Sequence, residues 1–155
     1  MERIVKIFCL MVLVFSLITF GTIAKAKVPL PDDIEIVAAP AEATELVKKF
    51  VGAWTGLWDG QLDSILVVEK VDLQEKKAYV IYAWDSSGQM RGGYFRYIAD
   101  LNLKQDELQI KFGDKAKFKF TLKDDGTVLK GDRQSGQYYN KIKMKKISLE
   151  LNETK

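Results

Sequence analysis

Four aspartates, Asp59, Asp85, Asp100 and Asp132, are of a residue type that suits acid–base chemistry. Two carboxylates held close together can share the roles of general acid and general base, as in glycoside hydrolysis. The chain contains no histidine, which excludes a Ser-His-Asp triad and a histidine-ligated metal. All four aspartates fall at predicted strand ends or turns, where aspartate commonly makes local hydrogen bonds. Catalysis through carboxylates therefore ranks behind binding.

Metal and thiol chemistry find no support in the sequence. The segment 124–126, Asp-Asp-Gly, lacks the further oxygen ligands of a calcium loop and is typical of a hairpin turn. The single cysteine, Cys9, lies in a segment that we expect to be removed. Neither a phosphate-binding loop nor a zinc spacing occurs. The sequence therefore predicts no metal site and no cofactor.

Two tryptophans separated by glycine form the most distinctive local pattern. At the period of two of a strand, Trp54, Gly56, Trp58 and Gly60 share one face. Glycine leaves room for large rings and permits the sharp bend of a small barrel. The rings either plug one end of such a barrel, which is the favoured interpretation, or line a cavity in it.

Lysines form a basic stripe on the last predicted strand and its neighbours. One interpretation of this stripe is a positive face toward anionic lipid or a partner, but such a stripe is usually a solvated face that discourages edge pairing. The formal net charge of +3 is too small to indicate nucleic-acid binding. The stripe comprises Lys111, Lys117, Lys119, Lys123, Lys141, Lys143, Lys145 and Lys146.

Residues 1–26 have the pattern of an export signal. Arg3 and Lys6 precede an uncharged run over 7–23, and Ala24-Lys25-Ala26 provides small residues at the positions that a signal peptidase reads. We expect cleavage after Ala26 and a periplasmic or extracellular domain. The alternative is an uncleaved anchor, which would be the only membrane attachment.

The stretch that follows predicts an extended linker and one helix. All three prolines lie in 27–40, so this range reads as a linker or arm. Over 41–51, apolar residues recur at helical spacing, with acids early and lysines late, as the helix dipole favours. The helix and everything after it form one domain, 41–155.

Beyond residue 52 the apolar residues alternate with polar ones, and turn signals separate the runs. Short connections imply antiparallel neighbours, so the sequence predicts an all-β, eight-stranded antiparallel up-and-down barrel with a short N-terminal helix. A two-sheet sandwich is the alternative. The predicted strands are 53–60, 62–71, 77–85, 92–102, 107–113, 116–123, 127–133 and 137–147.

The second and third predicted strands are apolar on both faces, so something must cover their outer side. The helix over 41–51 is the first choice as this cover, and a dimer partner is the second.

The order Phe-x-Gly-x-Trp-x-Gly-x-Trp over 50–58, then Leu-Val-Val from residue 66 and an aromatic strand over 79–84, resembles the lipocalin and calycin barrels. It also resembles a family of small exported bacterial domains without assigned activity. In calycins a basic residue near the last strand packs on the first-strand tryptophan. Arg133 precedes a turn and Lys141, Lys143 and Lys145 lie on the predicted outer face, so no single residue fills that position cleanly.

The resemblance implies a cup-shaped site for a small, partly apolar ligand, walled by aromatic residues. Arg96 is the most informative candidate, because a buried arginine needs an anionic partner, either Asp100 or a ligand. Phe95 and Tyr97 are equally plausible as the inward pair, which would leave Arg96 outside. The implied lining residues, on the even-numbered faces of their strands, are Trp54, Trp58, Tyr82, Trp84, Tyr94, Arg96 and Tyr138.

Non-catalytic binding of a small apolar or amphipathic ligand in the barrel is thus the leading hypothesis. The alternative is a protein-interaction module at the cell envelope, or a homodimer, that uses an exposed apolar patch around Tyr79, Ile81 and Ala83. A carboxylate enzyme comes third.

Overall fold

A computed structural model describes residues 28–149, so the predicted export signal lies outside the described residues. Eight antiparallel strands pair in sequence order, and the last strand pairs with the first to close a barrel. This architecture confirms the predicted up-and-down barrel. The strands are β1 (Gly52–Trp58), β2 (Leu62–Asp72), β3 (Lys77–Trp84), β4 (Gly93–Asn102), β5 (Glu107–Phe112), β6 (Ala116–Lys123), β7 (Val128–Ser135) and β8 (Tyr138–Ile147).

The helix α1 (Glu45–Phe50) is shorter than the predicted range of 41–51. It begins where it does because Thr44 is an N-cap, whose hydroxyl accepts a hydrogen bond from the Val47 amide at 3.3 Å. Val47 and Phe50 are buried in the main core and close one end of the barrel. Within residues 28–149 no helix is long and apolar enough to cross a bilayer.

Alternating side chains from all eight strands fill the half of the barrel nearest α1. Trp54, Leu66, Phe120 and Met144 have no solvent exposure. Gly131 makes the fit possible, because a Cβ atom there would lie 2.7 Å from the Phe120 ring. The interior at this end is therefore a packed core rather than a hollow.

The inward face changes from even to odd numbers between β3 and β4. Directly paired residues point to the same side of a sheet, and Tyr82 pairs with Phe95 while Ile81 pairs with Arg96. Tyr82 faces inward, so Phe95 also faces inward and Arg96 faces out. Sequence alternation within each strand cannot reveal this change, because the connecting loop resets the parity.

The N-terminal arm, residues 28–39, covers the outer face of β2 and β3. Ile34 packs with Val67 and Ile81 in a second apolar cluster, and the Val37 amide donates to the Glu69 carbonyl at 2.8 Å. The expectation that the helix covers this face is wrong, because α1 closes the barrel end instead. The predicted exposed patch is wrong for Ile81 and Ala83, which are both fully buried, whereas its third residue, Tyr79, is 41 % exposed.

Candidate functional site

Aromatic side chains converge at the barrel end opposite α1. Adjacent ring centroids in this cluster, which we call the aromatic mouth, lie 4.3 to 6.1 Å apart, mostly in tilted or edge-to-face arrangements. Such arrangements are favourable because the positive edge of one ring meets the negative face of the next. The aromatic mouth consists of Trp58, Tyr82, Trp84, Phe95, Tyr97, Phe112 and Phe118.

Burial is graded from the floor of the aromatic mouth to its rim. Trp58, Tyr82 and Phe118 form the floor and are 5–6 % exposed. The rim rings are only partly buried and pack against the core. The site is therefore a shallow aromatic surface on a filled barrel, not a deep cup. The rim rings are Trp84, Phe95, Tyr97 and Phe112.

The polar atoms of the floor satisfy one another. The Trp58 indole N–H donates to the Tyr82 hydroxyl at 2.6 Å, and this hydroxyl donates to Ser64 Oγ at 3.3 Å. Burial raises the pKa of the Tyr82 phenol, so it stays neutral at physiological pH. At the rim, burial also raises the pKa of Tyr97. These hydrogen bonds fix the orientation of the floor rings.

Arg133 is the cationic side chain beside the aromatic mouth. Its guanidinium carbon lies 5.8 Å from the centre of the Phe118 ring, and Nη1 donates to Asn140 Oδ1 at 3.3 Å. Asn140 in turn donates to Asp59. Within residues 28–149 Arg133 makes no ion pair with a carboxylate, so most of its donors remain available beside the aromatic rings.

The structure places three of the seven candidates, Trp58, Tyr82 and Trp84, together in the aromatic mouth. Trp54 lies at the other end of the barrel, where its indole N–H donates to the Phe50 carbonyl at 2.9 Å. Tyr138 begins β8, and its side chain is 68 % exposed.

Tyr94 and Arg96 face outward, so their expected place on the inner wall is wrong. The physical reason is the parity change between β3 and β4. Arg96 binds the arm instead: its guanidinium donates to both carboxylate oxygens of Asp33, at 2.8 and 3.0 Å, and lies 3.4 Å from Glu69. Asp100, which the sequence offered as another partner for Arg96, instead forms ion pairs with lysines of β3 and β5.

The four candidate catalytic aspartates all accept hydrogen bonds from neighbouring groups of the barrel. Asp59 accepts hydrogen bonds from the Lys141 amide and Asn140, which hold its pKa below the usual value. Ion pairs and hydrogen bonds with Lys77 and Lys111 likewise lower the pKa of Asp100. A general acid needs the opposite shift. Asp132 accepts from Tyr139, and Asp85 accepts from Ser86 in its turn.

Lys146 packs on Trp54, the tryptophan of the first strand. The resemblance to calycins predicts a basic residue in this position. The Lys146 ammonium nitrogen lies 5.1 Å from the centre of the Trp54 ring and donates to the Lys49 carbonyl at 2.7 Å. Burial and the nearby Lys49 charge lower the pKa of Lys146. The prediction that the whole lysine run lies on a solvated outer face is therefore wrong for Lys146.

Four rings of the aromatic mouth are not among the seven predicted site residues, namely Phe95, Tyr97, Phe112 and Phe118. The sequence left open that Phe95 and Tyr97 are the inward pair of β4, and the structure confirms this alternative. The alternation in β6 does predict an inward Phe118, and Phe112 pairs with inward Ala116. The alternation within β5 and β6 is therefore the sequence signal that identifies Phe112 and Phe118 as inward rings. Among the described residues, no group of three or more acidic, histidine or cysteine side chains is placed to hold a metal ion.

The chain matches no protein-family model and no curated protein.

Proposed function

We propose that this protein binds a small apolar or amphipathic molecule, without catalysis, at the aromatic mouth of its barrel. The observation that carries this proposal is the partial exposure of four contacting rings at the rim. Contact between aromatic rings and water is unfavourable. A flat apolar ligand that covers the rings would therefore gain binding free energy. Neighbouring side chains hold the rings in place, so binding needs little reorganisation.

The filled floor limits how the ligand binds. Trp58 and Phe118 occupy the space that a deeply enclosed ligand would need, so the ligand lies across the rim. The Arg133 guanidinium lies beside the same rings and can donate hydrogen bonds to a polar end of the ligand. This arrangement favours a molecule with a planar apolar body and at least one hydrogen-bond acceptor.

A lipocalin-like assignment is part of the proposal. The closed eight-stranded barrel and the contact between Lys146 and Trp54 both support it. Lipocalin-like barrels resemble this chain in their strand order and first-strand tryptophan, and they bind small ligands from one end.

The uncharged fluorophore N-phenyl-1-naphthylamine tests the proposal. We expect its emission to rise saturably with the protein, and Trp84→Leu to weaken binding by about tenfold because it removes one rim ring. The matched control is Tyr94→Leu, which removes an exposed ring on the outer face. If Trp84→Leu and Tyr94→Leu bind the probe as the unchanged protein does, the aromatic mouth is not the site.

We also propose that the protein is exported from the cytoplasm. The pattern over residues 1–26 supports removal of this segment by a signal peptidase after Ala26. Intact mass measurement of the protein expressed with its full sequence should give a chain that begins at Lys27. A mass that retains residues 1–26 in a membrane fraction would support the anchored alternative.

Protein interaction is a second candidate function, favoured by apolar side chains on the outer face of β3 and β4. Ile98 is 60 % exposed, and its cross-strand neighbour Tyr79 is 41 % exposed. A second copy of this chain is the simplest partner. Sedimentation velocity should then show dimers that Ile98→Lys abolishes, whereas monomers at every concentration would exclude self-association.

A further inference from the structure

A groove of about 660 Å³ lies on the outer face of the barrel, formed by β5 to β8 and the turn after β1. It is separate from the aromatic mouth, because its lysines lie on the outer face of the barrel whereas the rings of the aromatic mouth face the interior. We call it the basic groove. Five of its lining residues are lysines, namely Lys119, Lys123, Lys130, Lys141 and Lys143, and three are acidic, namely Asp59, Glu107 and Asp132.

The carboxylates of the basic groove are already engaged. Glu107 is only 5 % exposed, lies 3.2 Å from Lys119 Nζ and accepts from Gln109 at 2.5 Å. Asp132 accepts from the Tyr139 hydroxyl at 2.5 Å. Asp59 accepts from the Lys141 amide and from an asparagine. The acids therefore contribute to local structure.

Four of the five lysines of the basic groove form no ion pair with a carboxylate among residues 28–149, namely Lys123, Lys130, Lys141 and Lys143. The Lys141 ammonium lies 5.6 Å from the centre of the Tyr139 ring, and the other three have no such contact in this part of the chain. Lys130 and Lys143 are moreover direct cross-strand partners in the β7–β8 pair. Like charges in such positions repel and destabilise a sheet. An anion between them would relieve the repulsion.

We propose that the basic groove binds a small, soluble anion that carries two or more phosphate groups. Lysine binds phosphate as a point charge, and several unpaired ammonium groups in one concavity suit a multivalent anion. The volume lies within the range of about 300–1,000 Å³ that is typical of small-molecule sites. A membrane-binding face would combine its lysines with apolar side chains. Here the outward side chains that line the groove are polar.

Tripolyphosphate is a suitable probe, measured by calorimetry and by thermal unfolding. We expect saturable one-site binding that weakens as sodium chloride rises, and a melting temperature that increases with tripolyphosphate. Lys130→Gln/Lys143→Gln should weaken the affinity at least tenfold. Without the anion this variant should be at least as stable as the unchanged protein, because the repulsion is gone.

The matched control is Lys104→Gln/Lys115→Gln, which removes two exposed lysines in turns outside the groove. The control should bind tripolyphosphate with less than a threefold change. An equal loss of affinity in both double variants would show a diffuse effect of charge and overturn the proposal. Two further results would overturn it: no saturable binding, or binding to vesicles of phosphatidylglycerol and phosphatidylcholine without binding of tripolyphosphate.

Discussion

The ammonium of Lys146 lies 5.1 Å from the centre of the Trp54 indole ring and donates to the Lys49 carbonyl at 2.7 Å. These two contacts connect the last strand, the first strand and the C-terminal turn of α1. The Trp54 indole N–H donates to the Phe50 carbonyl of the same turn. The three interactions fasten the closed end of the barrel at the point where the two terminal strands meet.

Replacement of Lys146 should therefore weaken the whole fold. We expect Lys146→Ala to lower the free energy of unfolding by about 1–2 kcal/mol, through loss of the cation–π contact and the hydrogen bond. Lys146→Arg should retain most of this stability. Lys145→Ala, one residue away on the outer face, serves as the control. Urea denaturation followed by tryptophan fluorescence measures all three, and equal losses for the two alanine variants would contradict this role.

The N-terminal arm depends on its buried isoleucine. Ile34 is 8 % exposed and packs on Val67 and Ile81, whereas Ile36 is 37 % exposed. We expect Ile34→Ala to release the arm and speed cleavage within residues 28–39 by a nonspecific protease such as proteinase K. Ile36→Ala should leave cleavage unchanged. Mass spectrometry of the digests gives the rates, and equal rates for the two variants would show that Ile34 does not hold the arm.

Acid should also release the arm. Hydrogen bonds from Arg96 lower the pKa of Asp33 in the folded state. Asp33 therefore stabilises the docked arm above its ordinary pKa of about 3.9, and this contribution is lost as pH falls through the lower folded value. Hydrogen exchange at the Val37 amide, which donates to Glu69, reports docking. Exchange corrected for its intrinsic pH dependence should rise at low pH.

Asp33→Asn provides the comparison for this pH effect. This variant should show faster Val37 exchange already at neutral pH and a smaller further change on acidification. If the corrected exchange of the unchanged protein stays constant down to pH values at which Asp33 is protonated in the folded state, the ion pair does not control docking.

A methyl group at Gly131 should disturb the core. An added Cβ atom would lie 2.5 Å from Ile142 and 2.7 Å from Phe120, both closer than ordinary contact. Gly131→Ala should cost about 1–3 kcal/mol of unfolding free energy, the usual cost of overpacking. Gln134→Ala, on the exposed face of the same strand, should be close to neutral. A neutral Gly131→Ala would mean that the interior is looser than the structure indicates.

The strand order follows from local sequence, because alternation and turn residues act within each hairpin. Barrel closure pairs the distant strands β1 and β8, and the sequence predicts it only through the number of strands in the meander. The closest agreement is in β6, whose bounds match the predicted 116–123. The helix was predicted too long, because Glu42 before Thr44 resembles part of a first helical turn, while Thr44 caps the helix that forms. Burial of the outer face by the arm depends on contacts between distant residues, such as Ile34 with Val67, which alternation does not encode.

The candidate site was predicted only in part for a similar reason. Trp58, Tyr82 and Trp84 lie on strands whose inward face follows from the tryptophan pattern. Arg96 and Tyr94 lie on β4, where the loop after Trp84 resets the parity. The pairing of Tyr82 with Phe95 settles which residues face inward, and this is a property of the register between strands.

Nuclear magnetic resonance mapping of N-phenyl-1-naphthylamine on the ¹⁵N-labelled protein tests the central claim most directly. Binding at the aromatic mouth predicts saturable shifts, with one common dissociation constant, for the amides of Trp84, Phe95 and Phe112. The amides of Val47 and Phe50 at the closed end should stay unchanged. Shifts confined to the closed end or the outer face, or no saturable shifts at all, would contradict the claim that the aromatic mouth binds a small apolar ligand.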